Sequence, residues 1–427
     1  VNRRLDLSVP ANERFFLLSL AGIQFTHILD FMIMMPLGPQ LIRAMQIDTH
    51  QFGLLLSSYT FTAAASGLLA ATYVDRFDRR KLMLTLYGLF MAATLCCGLA
   101  QGYATLLAAR AMAGAFGGVL GALVQTMVAD VIPFERRGQA MGTVMAAFSL
   151  STVAGVPAGL FLANHTGSLG WRAPFFFIVL LSAGFFAIGY RLLPSLTSHL
   201  ERRAGGGVLR QIIAVAREPD HLIAYAFVAL LMLGGFTVIP FVALYYTTNV
   251  GMSEQFITVI YLCGGAATFF TSRLIGRLAD RHGKLPVFRM VALASLLPLL
   301  VTTHLVPIPW WLVLINSTMF FVLVPGRMIP GMAMVTAAAQ PHVRGTFMSL
   351  TSSVQMMSSG LASLLAGMII SRAPSGQILH YDLVGYLAAA SALGAVWLAS
   401  RLRGARLGND LHKGAAAGAK PAAPQAD

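Results

Sequence analysis

Twelve apolar runs divide this chain, and each is long enough to cross a bilayer. About 20 helical residues span the ~30 Å hydrocarbon core. Runs of that order cover residues 15–42, 52–74, 82–100, 104–131, 139–163 and 173–193, then 222–246, 256–279, 287–305, 310–338, 347–370 and 383–400. Charge is correspondingly scarce. Lys, Arg, Asp and Glu make up 11% of the 427 residues, against about 25% in an ordinary soluble domain. A soluble fold could not cover so much apolar surface with so little charge, which leaves an all-α integral membrane protein of twelve transmembrane helices.

The net charge of +14 would suit nucleic acid if it formed one patch, but it does not. If the gaps alternate between two sides, 24 basic residues fall on the side holding both termini and three (Arg43, Arg172, Arg372) on the other. By the positive-inside rule the termini are expected in the cytoplasm and the chain in the inner (plasma) membrane. The basic excess is read as topology, with the lipid bilayer and not nucleic acid as the partner. Cys96, Cys97 and Cys263 have no disulfide or metal-ligand spacing, and neither a metal nor a cofactor is expected.

The two halves repeat. Asp75-Arg76-Phe77-Asp78-Arg79-Arg80-Lys81 follows the second run, and Gly276-Arg277-Leu278-Ala279-Asp280-Arg281-His282-Gly283-Lys284 follows the eighth. Pro133, Arg137, Gly138 and Met141 after the fourth run are echoed at nearly the same offset by Pro341, Arg344, Gly345 and Met348 after the tenth. Two landmarks at one offset predict two pseudo-symmetric six-helix bundles with a site near the midplane between them. The expected division is a first bundle over residues 1–193, a cytoplasmic linker over 194–220, a second bundle over 221–406 and a disordered tail over 407–427.

The loop Gly276-x-x-x-Asp280-Arg281-x-Gly283-Lys284 is similar to the signature loop of the major facilitator superfamily. In the first-half copy Ala71 and Asp78 stand where that family has glycines, while Asp75, Arg76, Arg79 and Arg80 are kept. Arg110 followed by Gly114 resembles the family's basic motif associated with proton coupling. Gly155-Val156-Pro157-Ala158-Gly159 resembles a loose form of its antiporter motif, with Val156 in place of the glycine before proline. The likeness covers nearly the whole chain and is nearest to the bacterial proton-linked drug and sugar efflux branch. It implies that Asp75 docks on the start of span eleven, Asp280 on the start of span five, and Arg79 on Asp130. Ala337 occupies the second-half equivalent of Asp130, so this charge lock would be complete on one side only. Asp75, Arg76, Arg79, Asp130, Gly276, Asp280, Arg281, Gly283 and Lys284 are its expected residues.

A charge at the bilayer centre costs at least about 2.5–3.5 kcal/mol, so each one needs a partner or a purpose. Asp30 lies midway along the first run. His27 is ~60° from it around a helix and Gln24 extends the same polar stripe. In one reading Asp30 carries the transported proton: Arg110 favours its carboxylate, desolvation favours the neutral acid, and opening the cavity swings the balance. In the other, Asp30 and Arg110 form a permanent ion pair joining spans one and four. His27 either titrates or is a satisfied hydrogen-bonding ring. Arg327, between Pro325 and Pro330, either meets an anionic substrate group, bonds carbonyls freed by the prolines, or reaches Asp30. Gln24, Met34, Tyr59, Tyr261, Arg327 and Gln355 are the candidate cavity residues, and the glycines at 114, 117, 118 and 121 read as close helix packing.

The expectation is therefore a monomeric secondary transporter, not an enzyme, that exports a small amphipathic compound against protons by alternating access. A facilitator or proton symporter for a sugar or organic anion is the alternative within the same class. A membrane-embedded lipid-modifying enzyme would need convergent nucleophile, acid–base or metal groups, and the sequence has no such cluster.

Overall fold

The computed structural model describes residues 10–133, 136–196, 208–339 and 343–402. The expected tail and much of the interior linker lie outside these. Seventeen helices run through the described chain. The first half holds α1 (Pro10–Ile33), α2 (Gly38–Met45), α3 (Thr49–Tyr73), α4 (Arg79–Leu99), α5 (Tyr103–Val131), α6 (Arg137–Leu150), α7 (Val156–His165) and α8 (Ala173–Leu192). After α9 (Val208–Arg217) come α10 (Pro219–Phe236), α11 (Val242–Thr248), α12 (Glu254–His282), α13 (Lys284–Thr303), α14 (Trp310–Gly326), α15 (Met328–Ala338), α16 (Arg344–Ile369) and α17 (Tyr381–Ala399). A two-stranded hairpin, Ser371–Arg372 against Ile378–Leu379, is a small departure from an all-helical chain.

Among the described residues, eleven spans are long and apolar enough to cross a membrane. The twelfth, α16, has 26 residues but carries Thr351, Ser353, Gln355, Ser358, Ser359 and Ser363. Its hydroxyls bond back to its own carbonyls: Thr351 to Phe347 (2.8 Å), Ser359 to Gln355 (2.7 Å) and Ser363 to Ser359 (3.0 Å). Such local bonds satisfy a hydroxyl without a partner helix.

The first span is shorter than the apolar run 15–42 suggests. α1 stops at Ile33, and the chain turns through residues 34–37 before α2. Pro36 has no N–H to continue the ladder, and Gly38-Pro39 opens the next helix with proline at its first turn. Pro240 interrupts the seventh span in the same way, between α10 and α11. α2 and α11, the short pieces beyond these paired breaks, pack on one another across the molecule. α3 is fixed at its start by a capping box, with Asp48 accepting from the Gln51 amide at 2.7 Å and Gln51 accepting from the Asp48 amide at 3.0 Å.

Within each half the spans pack as a bundle: α3 and α4 on α5, α1 on α6 and α8, then α12 on α14, α10 on α16 and α17, α13 on α17. The halves meet through α3 on α16 and α7 on α12. At the end holding α2 and α11, residues of both halves, such as Leu37, Phe52, Phe241, Tyr246 and Tyr381, share one core. At the end where the chain enters α1 and leaves α17, each half keeps its own: Phe16, Tyr87 and Met127 in the first, Phe227, Phe288 and Phe347 in the second. The apolar core common to both halves thus lies at one end, although α3 still follows α16 toward the other, where a Cβ on Gly67 would lie 3.6 Å from the Ser353 hydroxyl.

Candidate functional site

Asp30 and Arg110 are both sealed from solvent, with no exposed side-chain surface on either. Asp30 projects from α1, and Arg110 of α5 donates to its Oδ2 at 2.8 Å. Thr94 of α4 donates to the other oxygen at 3.3 Å, and Tyr59 of α3 places its ring 4.4 Å from the guanidinium carbon. Four helices therefore converge on one neutral pair. Neutrality matters, because removing one partner of a buried pair typically costs about 3–5 kcal/mol through the charge left behind. The sequence stripe on α1 located Asp30; Thr94, one hydroxyl in the third apolar run, was not foreseen.

The rest of the stripe extends from this pair. His27 lies between Tyr59 (ring centroids 6.5 Å) and Phe90 (5.8 Å). Its Nδ1, the Gln24 Oε1, the Tyr59 hydroxyl and the Arg110 Nε and Nη2 are buried without a hydrogen-bond partner. A Cβ on Gly117 would sit 2.8 Å from the Tyr59 hydroxyl and 2.9 Å from the His27 ring, and one on Gly121 would lie 3.9 Å from the Gln24 amide. The glycine face of α5 thus lies directly against the polar face of α1. Buried polar atoms held close without partners are groups that water or a proton can bridge.

Gly155 and Gly159 seat α1 from the other side. A Cβ on Gly155 would meet Leu29 at 2.9 Å, and one on Gly159 would meet Ile33 at 2.7 Å. The antiporter-like segment therefore touches the helix that bears Asp30. It begins at a π-helical turn, Ser151–Gly155, from which Ser151 donates to the Phe25 carbonyl at 2.9 Å.

Among the described residues the second half shows no such buried pair. Arg327 stands at the break between α14 and α15, almost wholly buried (1% exposed), with Nη1 donating to Ser295 of α13 at 3.4 Å. Its Nη2 lies 2.8 Å from the Cβ position of Gly234, against α10, and its Nε and Nη2 have no hydrogen-bond partner. Arg327 thus lies among helices of its own bundle; Asp30 is taken by Arg110. A neutral network, missed from sequence, occupies this half: Tyr246 with Ser317 (3.1 Å) and Thr302 (3.4 Å), and Asn316 with Thr302 (2.9 Å).

The remaining candidates are dispersed. Tyr261 packs on Phe321 (4.9 Å), Gln355 donates to the Met332 sulfur at 3.3 Å, and Met34 is fully buried in the shared core. Phe31, next to Asp30, reaches Tyr59 (5.5 Å) in its own half and Phe236 (6.0 Å) in the other.

In the first signature loop Arg79 is buried, donating to Asp130 at 3.4 Å and to the Val74 carbonyl at 3.1 Å. The Asp75 side chain lies outside the described residues, and Arg76 is exposed. Asp78, at a family glycine position, accepts from Ser195 (2.7 Å), the Leu196 amide (3.1 Å) and the Arg80 amide (3.0 Å). It fixes the chain leaving α8 to the start of α4. Burial works against its carboxylate, but these hydrogen bonds and the nearby Lys81 outweigh that and hold its pKa below the usual value. In the second loop Gly276 is open to added bulk, Asp280 and Arg281 are exposed, and Gly283 turns the chain at φ +92° into α13, which starts at Lys284.

Comparison with known proteins agrees with this architecture. The Major Facilitator Superfamily profile matches residues 20–363 and again 224–424. Among solved structures, the chain is similar to a bacterial homologue of the human lysosomal transporter Spinster in an inward-facing, occupied conformation, with 16% identity, 95% of this chain and 97% of that one covered, and a TM-score of 0.68. It is also similar to a D-xylose–proton symporter, with 15% identity, 92% and 98% covered, and a TM-score of 0.75. A nucleoside transporter matches with 12% identity, 91% and 100% covered, and a TM-score of 0.70. Identities this low speak for the fold alone. The profile match, spanning most of the chain, carries the assignment: this multi-pass membrane protein belongs to the major facilitator superfamily of transporters.

Proposed function

We propose that this protein is a proton-coupled secondary transporter that exports a small amphipathic compound by alternating access. The observation that carries this reading is the fully buried Asp30–Arg110 pair, 2.8 Å apart, one turn before α1 ends at Ile33. A carboxylate so placed is costly. It sits beside the seam between the bundles, where Phe31 touches Phe236. Asp30 takes the proton when Arg110 withdraws, and Arg110 restores the ionised form when it returns. His27, Tyr59 and Gln24 connect this pair to water. The loop residues Asp75, Arg76, Arg79, Asp130, Gly276, Asp280, Arg281, Gly283 and Lys284 govern the exchange between states and do not contact substrate.

Substrate class follows from what faces the seam. The contact across it beside Asp30 is aromatic, Phe31 with Phe236, and Arg327 is turned into its own bundle. That favours a neutral or weakly polar amphipathic compound over an organic anion. A sugar remains the second reading, because Val156 departs from the antiporter pattern and the D-xylose–proton symporter shares the fold. The termini are placed in the cytoplasm of the inner membrane by the basic asymmetry, which makes the end where each half keeps its own core the cytoplasmic one. The protein works as a monomer of two bundles, residues 1–193 and 221–406, joined by the linker 194–220.

Proteoliposomes with an imposed pH gradient test this. Accumulation of apolar amines or neutral amphipaths against the proton gradient is expected. Sugar uptake with the proton gradient would replace the export reading, and transport indifferent to the gradient would remove proton coupling altogether.

A further inference from the structure

A polar clasp closes the end at which the bundles meet. Glu254 opens α12, after Ser253 has capped the helix by accepting from the Phe256 amide at 3.2 Å. An acidic residue there is favoured by the helix dipole alone, yet both its carboxylate oxygens are held by the other half. Gln40 of α2 donates to Oε2 at 3.0 Å, and Arg43 of the same helix forms an ion pair with Oε1. Gln40 also donates to Asn164 Oδ1 at the end of α7 (2.7 Å), and Asn164 donates to the Glu254 carbonyl and the Thr258 hydroxyl, both at 3.3 Å. The ion pairs Asp30–Arg110, Arg79–Asp130 and Glu13–Arg136 lie within the first half; Arg43–Glu254 joins the two.

The seam has a second flank of different character. Between α3 and α16, Thr49 donates to the Ile370 carbonyl at 2.7 Å in a buried contact. A Cβ on Gly53 would lie 2.9 Å from the Ser363 carbonyl oxygen, and one on Gly367 2.8 Å from that of Thr49. Phe52 packs edge-on to Phe241 at 5.7 Å. This flank is dry and touches backbone to backbone, so parting it would expose apolar surface. The clasp is wet: Arg43 is 57% exposed, and a crevice of about 730 Å³ lined by Gln40, Arg43, Asn164, Trp171 and Glu254 opens beside it. Water can replace each of its hydrogen bonds as it breaks, so separation there costs little.

We propose that Gln40, Arg43, Asn164 and Glu254 form the latch that holds the transporter closed at this end, and that opening to the other side of the membrane begins with its release. Each residue acts only in the state where α2, α7 and α12 meet, so weakening the latch shifts the population between states without touching the Asp30 site. The inference rests on the alternating-access reading.

Spin labels at Ala44→Cys and Gln255→Cys, on the two rims of the crevice, report the opening in the full-length protein in lipid nanodiscs. Wild type is expected to show a dominant short distance and a minor long one. Glu254→Gln and Arg43→Gln should each raise the ratio of long to short roughly two- to fivefold, the range set by a partly exposed ion pair. The exchanged pair Arg43→Glu with Glu254→Arg should return the ratio toward wild type. If an Arg43 variant does not fold, Gln40→Leu, which removes only neutral donors, should move the ratio in the same direction. Two populations whose ratio stays fixed in all these variants would overturn the latch alone. A single distance in wild type at every pH and with every transported compound would overturn alternating access and the latch together.

Discussion

A Cβ placed on Gly114 would lie 2.1 Å from the carbonyl oxygen of Tyr59, so α5 and α3 touch there backbone to backbone. Arg110 is one helical turn earlier on α5, and the same contact brings its guanidinium over the Tyr59 ring and onto Asp30. The glycine is thus part of how the buried pair is aimed. Gly114→Ala should lower the thermal stability of the detergent-purified protein by about 1–3 kcal/mol, the usual cost of overpacking. Gly142→Ala, where an added Cβ meets nothing within 4 Å, should be near neutral. Equal melting temperatures for the two variants would show that the helices are not so close.

Arg327 gives a prediction of opposite sign. A buried cation whose recorded partner is one serine hydroxyl is an electrostatic burden that a similar-sized apolar side chain relieves. Arg327→Met should raise the melting temperature, by the equivalent of ~1 kcal/mol or more, and leave substrate affinity unchanged. A variant that folds normally but loses affinity would place Arg327 on the substrate.

Asp78 gives a pH-dependent one. Its folded pKa lies below the ordinary carboxylate value, so its docking of Ser195 and Leu196 is fully stabilising above the unfolded carboxylate pKa, ~3.9. That contribution is lost as pH falls through the folded value. The melting temperature of wild type should therefore exceed that of Asp78→Ala by a few degrees at pH 7, and the gap should close as the pH falls through the lowered folded value. A gap that stays constant or widens in acid would mean that the ionised carboxylate does not hold the loop.

The elements most legible in the sequence were those where a single physical rule dominates. Twelve runs of apolar residues leave no alternative to spanning helices, and the stripe Gln24–His27–Asp30 needs only helical periodicity. Arg79 on Asp130 came from family likeness and is present at 3.4 Å. The break at Pro36 was hidden, because apolar residues continue on both sides of it and hydropathy does not register a missing N–H. Thr94 and the Tyr246–Ser317–Thr302 network were hidden because only the tertiary fold says which hydroxyls meet. Glu254, the acidic residue that opens α12, was hidden because its partner lies in α2, more than 200 positions earlier. Asp78 read as a degraded glycine position, and it docks the chain leaving α8.

The central claim is that Asp30 binds the transported proton, and proton release on substrate binding measures it most directly. Purified protein in weakly buffered detergent solution, poised below neutral pH, is mixed with a transported compound while a pH indicator is followed. Wild type should release protons as substrate displaces them from the site. Asp30→Asn, whose amide mimics the protonated acid, should bind the same compound and release none. Proton release by Asp30→Asn equal to that of wild type would contradict the assignment and move the proton to another group.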